Sequence, residues 1–352
     1  MLRTLLIAGI SAYSIASVAQ AQAIIEDGGV ILGVDEFGQL NIPGGDASPF
    51  EGTTAVGLRH AASGTESTSH GCLCEGWGVG IGETGVSGSA NNDDGVDDLD
   101  LVSFTSTATT AVSVADLSSG ELQVTHSFAL ASETDDLFAV SVSIENTSGA
   151  DIADLRYTRT FDWDIEPDTF DELVTHSGTQ TTTSLLASIG NGFVNSDPFA
   201  SRSETTAFDT DTVDFEDFGP DDFGSNFDFG FGALAAGETF DFTIYYGASD
   251  TEAGALAALG EVGAELFSLG QAASDPLGTG VTDGSTGLAD GTVTPTFIFG
   301  FSGVGGTIII PDPTPDPDPN PSAVPVPASA LLILSGLGGL GLMRRRKSQK
   351  AS

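Results

Sequence analysis

Basic residues are scarce in this chain. Of ten Lys and Arg in 352 residues, Arg3 stands near the start, and Arg344, Arg345, Arg346, Lys347 and Lys350 stand near the end. Only Arg59, Arg156, Arg159 and Arg202 lie between, with no lysine. Against these four stand all 50 acidic residues, a formal charge of −46 for that stretch. Such a surface repels nucleic acid and anionic lipid, and excludes nucleic acid as a partner; the membrane is expected as one only through the C-terminal helix before processing. It attracts divalent cations and stays soluble in salt, where screening weakens self-repulsion. General acidity in a salt-adapted protein and specific cation binding each account for the bias.

Cysteine is limited to Cys72 and Cys74, which excludes a multi-disulfide scaffold. In an exported chain this pair favours a disulfide. Residues i and i+2 sit about 6–7 Å apart when extended, near the limit for bridging. A local bend is therefore needed, and Gly71 and Gly76 permit one. A zinc site with His60 or His70 is the second reading, although zinc pairs usually have two or more residues between cysteines. Free or intermolecular thiols are the third. Catalytic signatures are also missing: there is no Gly-x-Ser-x-Gly elbow, phosphate loop or dinucleotide fingerprint.

Long apolar runs occur only at the two ends. Arg3 precedes an apolar stretch from Leu5 to Val18, then Ala19-Gln20-Ala21 or Ala21-Gln22-Ala23. This reads as a secretory signal peptide over residues 1–23. At the other end, Val324-Pro325-Val326-Pro327-Ala328 leads into an uncharged run ending at Met343, followed by Arg344-Arg345-Arg346-Lys347. As a helix, residues 328–343 would be about 24 Å long, short against a bilayer core of about 30 Å. Gly336, Gly338, Gly339 and Gly341 leave one stripe nearly bare. The basic cluster would stay in the cytoplasm and stop transfer.

This tail resembles the PEP-CTERM family of sorting signals, in its Val-Pro-Leu-Pro-Ala variant, with Val326 in place of Leu. The resemblance covers roughly the last tenth of the chain. It implies recognition by a membrane-embedded exosortase, passage through an inner-membrane intermediate, and association with exopolysaccharide and biofilm at the cell surface. A plain C-terminal membrane anchor is the alternative.

Between the ends the residues predict an all-β fold, a large antiparallel β-sandwich over residues 24–310. Phe138, Val140, Val142 and Ile144 alternate with Ala139, Ser141, Ser143 and Glu145. Leu122, Val124, His126, Phe128 and Leu130 share a face just before them, and Ser132 to Asp136 joins the runs as a hairpin. Further strands are expected over Ile152 to Ile165, Phe240 to Tyr246 and Val293 to Phe301. Ser249-x-x-Glu252 resembles a capping box. Leu256, Leu259, Val262, Leu266 and Leu269 then recur at helical spacing up to Gly270. One amphipathic helix is expected there, covering an edge or end of the sandwich. The approach from Leu234 to Thr239 resembles that of bacterial extracellular β-sandwich modules. Residues 71–78, with Trp77, read as a rigid surface loop. From Pro311 to Pro321 every second residue is proline, an extended spacer of roughly 34 Å within a linker over 311–323. The sorting signal occupies 324–352.

Carboxylates concentrate in three places. Asp93, Asp94, Asp97 and Asp98 surround Gly95 in a loop that resembles half of a calcium site. Residues 208–231 hold seven Phe and eight acids, which suggests a long loop pinned by rings with its acids wet or binding calcium. Asp162, Asp164 and Glu166 alternate with Trp163 and Ile165. On a strand these acids would share one face, about 7 Å apart. They would be satisfied by Arg156 or a cation, or serve as a hydrolytic pair. The expectation is a non-catalytic adhesive or structural surface protein whose partners are an exosortase and extracellular polysaccharide. An extracellular polysaccharide hydrolase is the alternative.

Overall fold

Alternation of apolar and polar residues drives most of this chain into strands, and the computed structural model describes them for residues 21–72, 74–202 and 212–308. The first strands are β1 (Gln22–Asp27), β2 (Val30–Asp35), β3 (Ile42–Pro43), β4 (Ala55–Val56) and β5 (Leu58–His60). β1, β2 and β5 form a small sheet, and β3 pairs with β4. Next come β6 (Glu75–Ile81), β7 (Val86–Asn91) and β8 (Gly95–Asp97), then the meander β9 (Leu99–Ser106), β10 (Ala111–Leu117), β11 (Leu122–Leu130) and β12 (Leu137–Asn146). β13 (Ile152–Asp162), β14 (Glu172–Ser177), β15 (Leu185–Ile189), β16 (Phe215–Asp221) and β17 (Gly224–Leu234) follow. The described chain closes with β18 (Thr239–Ser249), α1 (Glu252–Glu261), β19 (Leu266–Ala272) and β20 (Thr296–Ser302).

The remaining strands pair antiparallel in two large sheets. The larger runs β16-β14-β19-β20-β18-β12-β11-β10-β9, and the smaller runs β15-β17-β13-β6-β7-β8. In the β11–β12 hairpin, Phe128 pairs with Val140 and His126 with Val142. Phe138, Val140, Val142 and Ile144 are buried on its inner face. The sheets face each other through aromatic rings: Tyr157 on Phe242 at 5.0 Å between centroids, Phe161 on Phe299 at 4.9 Å, and Phe227 on Phe301 at 5.3 Å. One continuous core reaches from Ile25 and Leu32 through both large sheets to Val304.

The helix differs from the sequence expectation. It ends near Val262, and Leu266 and Leu269 belong to β19, a buried strand between β14 and β20. Thr251, not Ser249, caps it by accepting from the Gly254 amide. Gly263, at φ +67°, turns the chain out of the helix. The leucine spacing therefore spanned two elements. Its buried Ala255, Ala258 and Leu259 pack with Tyr245, Phe267 and Ile298, so α1 covers the outer face of the large sheet rather than an edge. Gly270 is not a helix stop. It lies mid-strand, where a Cβ would sit 2.7 Å from a Trp163 ring carbon.

Two further readings change. The described part of residues 208–231 is not a loop: β16 and β17 place it in different sheets, with a crossover at Asp222 and Phe223. On β17, Phe227 and Phe229 alternate into the core, whereas Phe218 of β16 stays 43% exposed. Trp77 is buried on β6 and donates from Nε1 to the Phe37 carbonyl at 2.8 Å. Among the described residues no helix is long and apolar enough to cross a membrane. Residues 1–20 and 309–352, with all but the last three residues of the expected signal peptide and with the spacer and sorting tail, lie outside the described residues, while Gln22 and Ala23 belong to β1.

A charged pair lies inside the core. Arg159 of β13 and Glu75 of β6 approach to 2.5 Å, and both side chains are fully buried. Glu75 also accepts from the Tyr246 hydroxyl at 3.0 Å and the Leu40 amide at 2.7 Å. Arg159 donates to the Gly38 carbonyl at 3.1 Å. Arg159→Met should cost about 3–5 kcal/mol in urea unfolding, because it strands a buried carboxylate. Adding Glu75→Gln should recover a large part of that loss. Simply additive losses would mean the two residues do not act as a unit.

Candidate acidic site at the end of β13

Past Asp162 the ladder ends, but the chain stays extended because other loops take over its hydrogen bonds. The Asp162 amide donates to the Cys74 carbonyl at 3.0 Å and that of Trp163 to Phe223 at 3.1 Å. The Asp164 amide donates to Ser67 at 2.7 Å and that of Glu166 to Glu66 at 3.0 Å. This segment runs alongside the strand, and its His70 and Cys72 reach over the even-numbered face to Glu166 and Asp162. Phe161, Trp163 and Ile165 point into the core, as their alternation requires. Asp162 and Asp164 point the other way, yet remain only 1% and 0% exposed under the covering loop.

The three acids of this face meet different fates. Glu166 is served on every side. His70 Nε2 lies 3.3 Å from Oε1, the Ser48 hydroxyl and the Glu51 amide donate to that oxygen, and the Glu66 amide donates to Oε2 at 3.2 Å. Burial pushes its carboxyl up, but His70, Ser48 and these amides outweigh that and hold it below the usual range. Asp164 receives no hydrogen bond on either oxygen, and Asp162 receives none on Oδ1. Burial drives Asp162 well above the ordinary carboxylate range, and Asp164, Asp222 and Glu172 add to it. Asp164 is pushed up to about 7, again by burial, with the charge and the backbone amide of His70 opposing.

Asp222, exposed at the β16–β17 crossover, completes the cluster. Single carboxylate oxygens of Asp162, Asp164 and Asp222 all lie within 4.8 Å of one another. A second set within that distance is Cys72, Cys74 and Asp162. Cys72 and Cys74 are joined as a disulfide with Cα atoms 5.1 Å apart. In that state neither sulfur is a thiolate, so the second set offers a metal only Asp162. Asp162 Oδ2 lies 3.4 Å from the Cys72 sulfur. Gly192 makes room beside Asp162: a Cβ there would fall 2.5 Å from Oδ1.

Arg156 does not reach these acids. It pairs with Asp154 at 2.6 Å, because six residues of extended chain put Asp162 about 20 Å away along β13. Asp93, Asp94, Asp97 and Asp98 sit exposed around the β7–β8 turn. The Asn91 side chain organises that turn by accepting from the amides of Asp93 at 2.8 Å and Asp94 at 3.3 Å. No three ligand atoms from this quartet come within 4.8 Å of one another. His126, 1% exposed, is a core residue 3.0 Å from the Tyr157 hydroxyl and packed on Trp77. Val324 to Ala328 and Arg344 to Lys347 lie outside the described residues. Sequence reasoning grouped Asp162, Asp164 and Glu166, placed Asp222 in a separate acidic stretch and His70 in a zinc reading, and missed Glu172. The dense acids before Phe223 were the only local signal for Asp222.

A scan of protein-family models and a search of curated proteins found no match to the chain.

Glu172 supports the site from β14. Its Oε1 accepts from the amides of Phe170 at 2.7 Å and Ile165 at 3.2 Å. Burial still pushes its carboxyl up to about 9, so it carries a proton at neutral pH. The unfolded chain loses that proton near the ordinary carboxylate range. Between there and about pH 9 the folded state holds one proton more, so stability falls as pH rises, by up to about 1.4 kcal/mol per pH unit. Glu172→Gln should flatten this slope between pH 5 and 9 while leaving stability near pH 4 almost unchanged. An unaltered slope in urea unfolding across that range would contradict the assignment.

Proposed function

We propose that this chain is an exported cell-surface or extracellular-matrix protein, sorted by an exosortase, with a non-catalytic adhesive or structural role in exopolysaccharide. The observation that carries this reading is the three-part tail: Val324 to Ala328, the short apolar run, and Arg344 to Lys347. Pro325 and Pro327 donate no backbone hydrogen bond and disfavour helix in the residue before each, a sequence that favours an extended motif. An extended segment is the form a protease can grip. The apolar run is short for a bilayer and suits a transient stop.

The body is compatible with this role. A two-sheet sandwich exposes sheet surface beyond the part that α1 covers, and its acidity keeps it dissolved outside the cell. A polysaccharide hydrolase would draw on Asp162, Asp164 and Asp222, the closest carboxylate group. The burial of Asp162 and Asp164 weighs against it, because a sugar ring needs both carboxylates open to a groove.

Two measurements test the proposal. The mature protein recovered from the native cell surface should lack everything after about Ala328 by C-terminal mass, and neutral residues at positions 344–347 should reduce processing. Surface protein that still carries Met343 and the basic cluster would leave only a plain anchor. Incubated with a panel of extracellular glycans, with and without calcium, the protein should retain some of them without shortening any. Release of shorter sugars would favour the hydrolase.

A further inference from the structure

Charge accounting across the body points to one site. Among the described residues every arginine is already committed. Arg59 pairs with Glu66 at 2.7 Å, Arg156 with Asp154 at 2.6 Å, Arg159 with Glu75 at 2.5 Å and Arg202 with Asp228 at 2.8 Å. No lysine lies between Arg3 and Arg344. His70 is taken by Glu166 at 3.3 Å and Glu51 at 3.5 Å. Elsewhere buried acids are served by these cations or by amides and hydroxyls. Asp275, for example, accepts from the amides of Thr279 and Gly280 and the Thr294 hydroxyl. Asp164 is the exception: it is 0% exposed, and the His70 backbone amide that faces it makes no hydrogen bond of ordinary geometry to either oxygen. Asp162 Oδ1 beside it likewise receives no hydrogen bond.

We propose that Asp162, Asp164 and Asp222 form a binding site for a hard divalent cation, best matched by calcium. Leaving buried carboxylates without donors is costly, and a cation offsets that cost where no side chain can. The ligand atoms already converge within 4.8 Å, and all are oxygens once Cys72 and Cys74 are bridged. All-oxygen donor sets suit calcium or magnesium. Calcium fits better, because it accepts irregular, flexible geometry, whereas magnesium demands a near-ideal octahedron. Asp222 is exposed and leaves one side open for entry and for water ligands. The ion would tie the end of β13, buried under the 66–74 loop, to the crossover between the two large sheets. The site stands independently of the adhesive role.

Terbium offers a direct probe, because Trp163 lies between two of the ligands and can sensitise its emission. The chelator-treated full-length chain should give saturable terbium luminescence, displaced by calcium more effectively than by magnesium. Calcium should also raise Tm beyond sodium chloride of equal ionic strength, since it binds only the folded state. Asp222→Asn, at an exposed position, should weaken binding about tenfold or more. Asp164→Asn should abolish the calcium-dependent rise in Tm while leaving the ion-free Tm equal to or above that of the parent, because it removes a buried charge without donors. Asp93→Asn with Asp94→Asn should change neither response. Equal Tm shifts in the parent and Asp164→Asn, or a response to calcium no larger than to sodium, would overturn the proposal. So would zinc binding that appears only after reduction of Cys72 and Cys74, with none for calcium.

Discussion

The ion pair between Glu75 and Arg159 is the constraint on which the rest of the body depends. Arg159 sits on the inward face of β13 among Tyr157 and Phe161, where an isolated charge would be prohibitive. Burial pushes Glu75 up, and the Arg159 guanidinium is the main opposing influence. Arg159 itself is held charged, since Glu75, Tyr246 and Tyr157 outweigh its burial. A buried pair of this kind is weak evidence for stability alone, because desolvation offsets much of the attraction. Its value lies in where its partners come from. Tyr246 belongs to the nine-stranded sheet, Glu75 and Arg159 to the six-stranded sheet, and Leu40 and Gly38 to the N-terminal segment. One carboxylate and one guanidinium therefore hold three layers in a single register. The Tyr246 ring lies 5.5 Å from the guanidinium carbon and takes up part of the remaining charge.

A chain with four body arginines and 50 acids cannot repeat that solution often. Most of its acids are solvated, and several buried ones are capped by backbone amides, as at Glu66, Glu166 and Asp275. The covering loop 66–74 follows from this economy. It supplies the amide and carbonyl partners that extend β13 past Asp162, and in doing so it seals the even face of that segment. Asp162 and Asp164 are left as the buried acids whose needs the protein's own donors do not meet.

Much of the fold was legible in the sequence where one face of a strand is buried. The β11–β12 hairpin and β18 read cleanly, because period-two alternation reports a half-buried pleat. The helix overran because Leu266 and Leu269 continued the spacing of Leu256 and Leu259 across a turn that only Gly260 and Gly263 signalled. β16 and β17 were missed because their rings and acids also suit a pinned loop. Within the site, the alternation at 162–166 pointed to shared-face carboxylates. It did not reveal the loop that buries them, nor Asp222 from a strand crossover 56 residues beyond Glu166. Contacts made by covering loops leave no periodic trace, so local patterns cannot report them.

Native-state hydrogen exchange tests the central claim most directly. If Glu75 and Arg159 bind the layers into one unit, the amides of β6, β13 and β18 and the Leu40 amide should open with a common free energy close to that of global unfolding. If residues 22–60 instead exchange at much lower free energy while both large sheets stay protected, the N-terminal segment is an independent appendage. The ion pair would then not be the anchor of the fold.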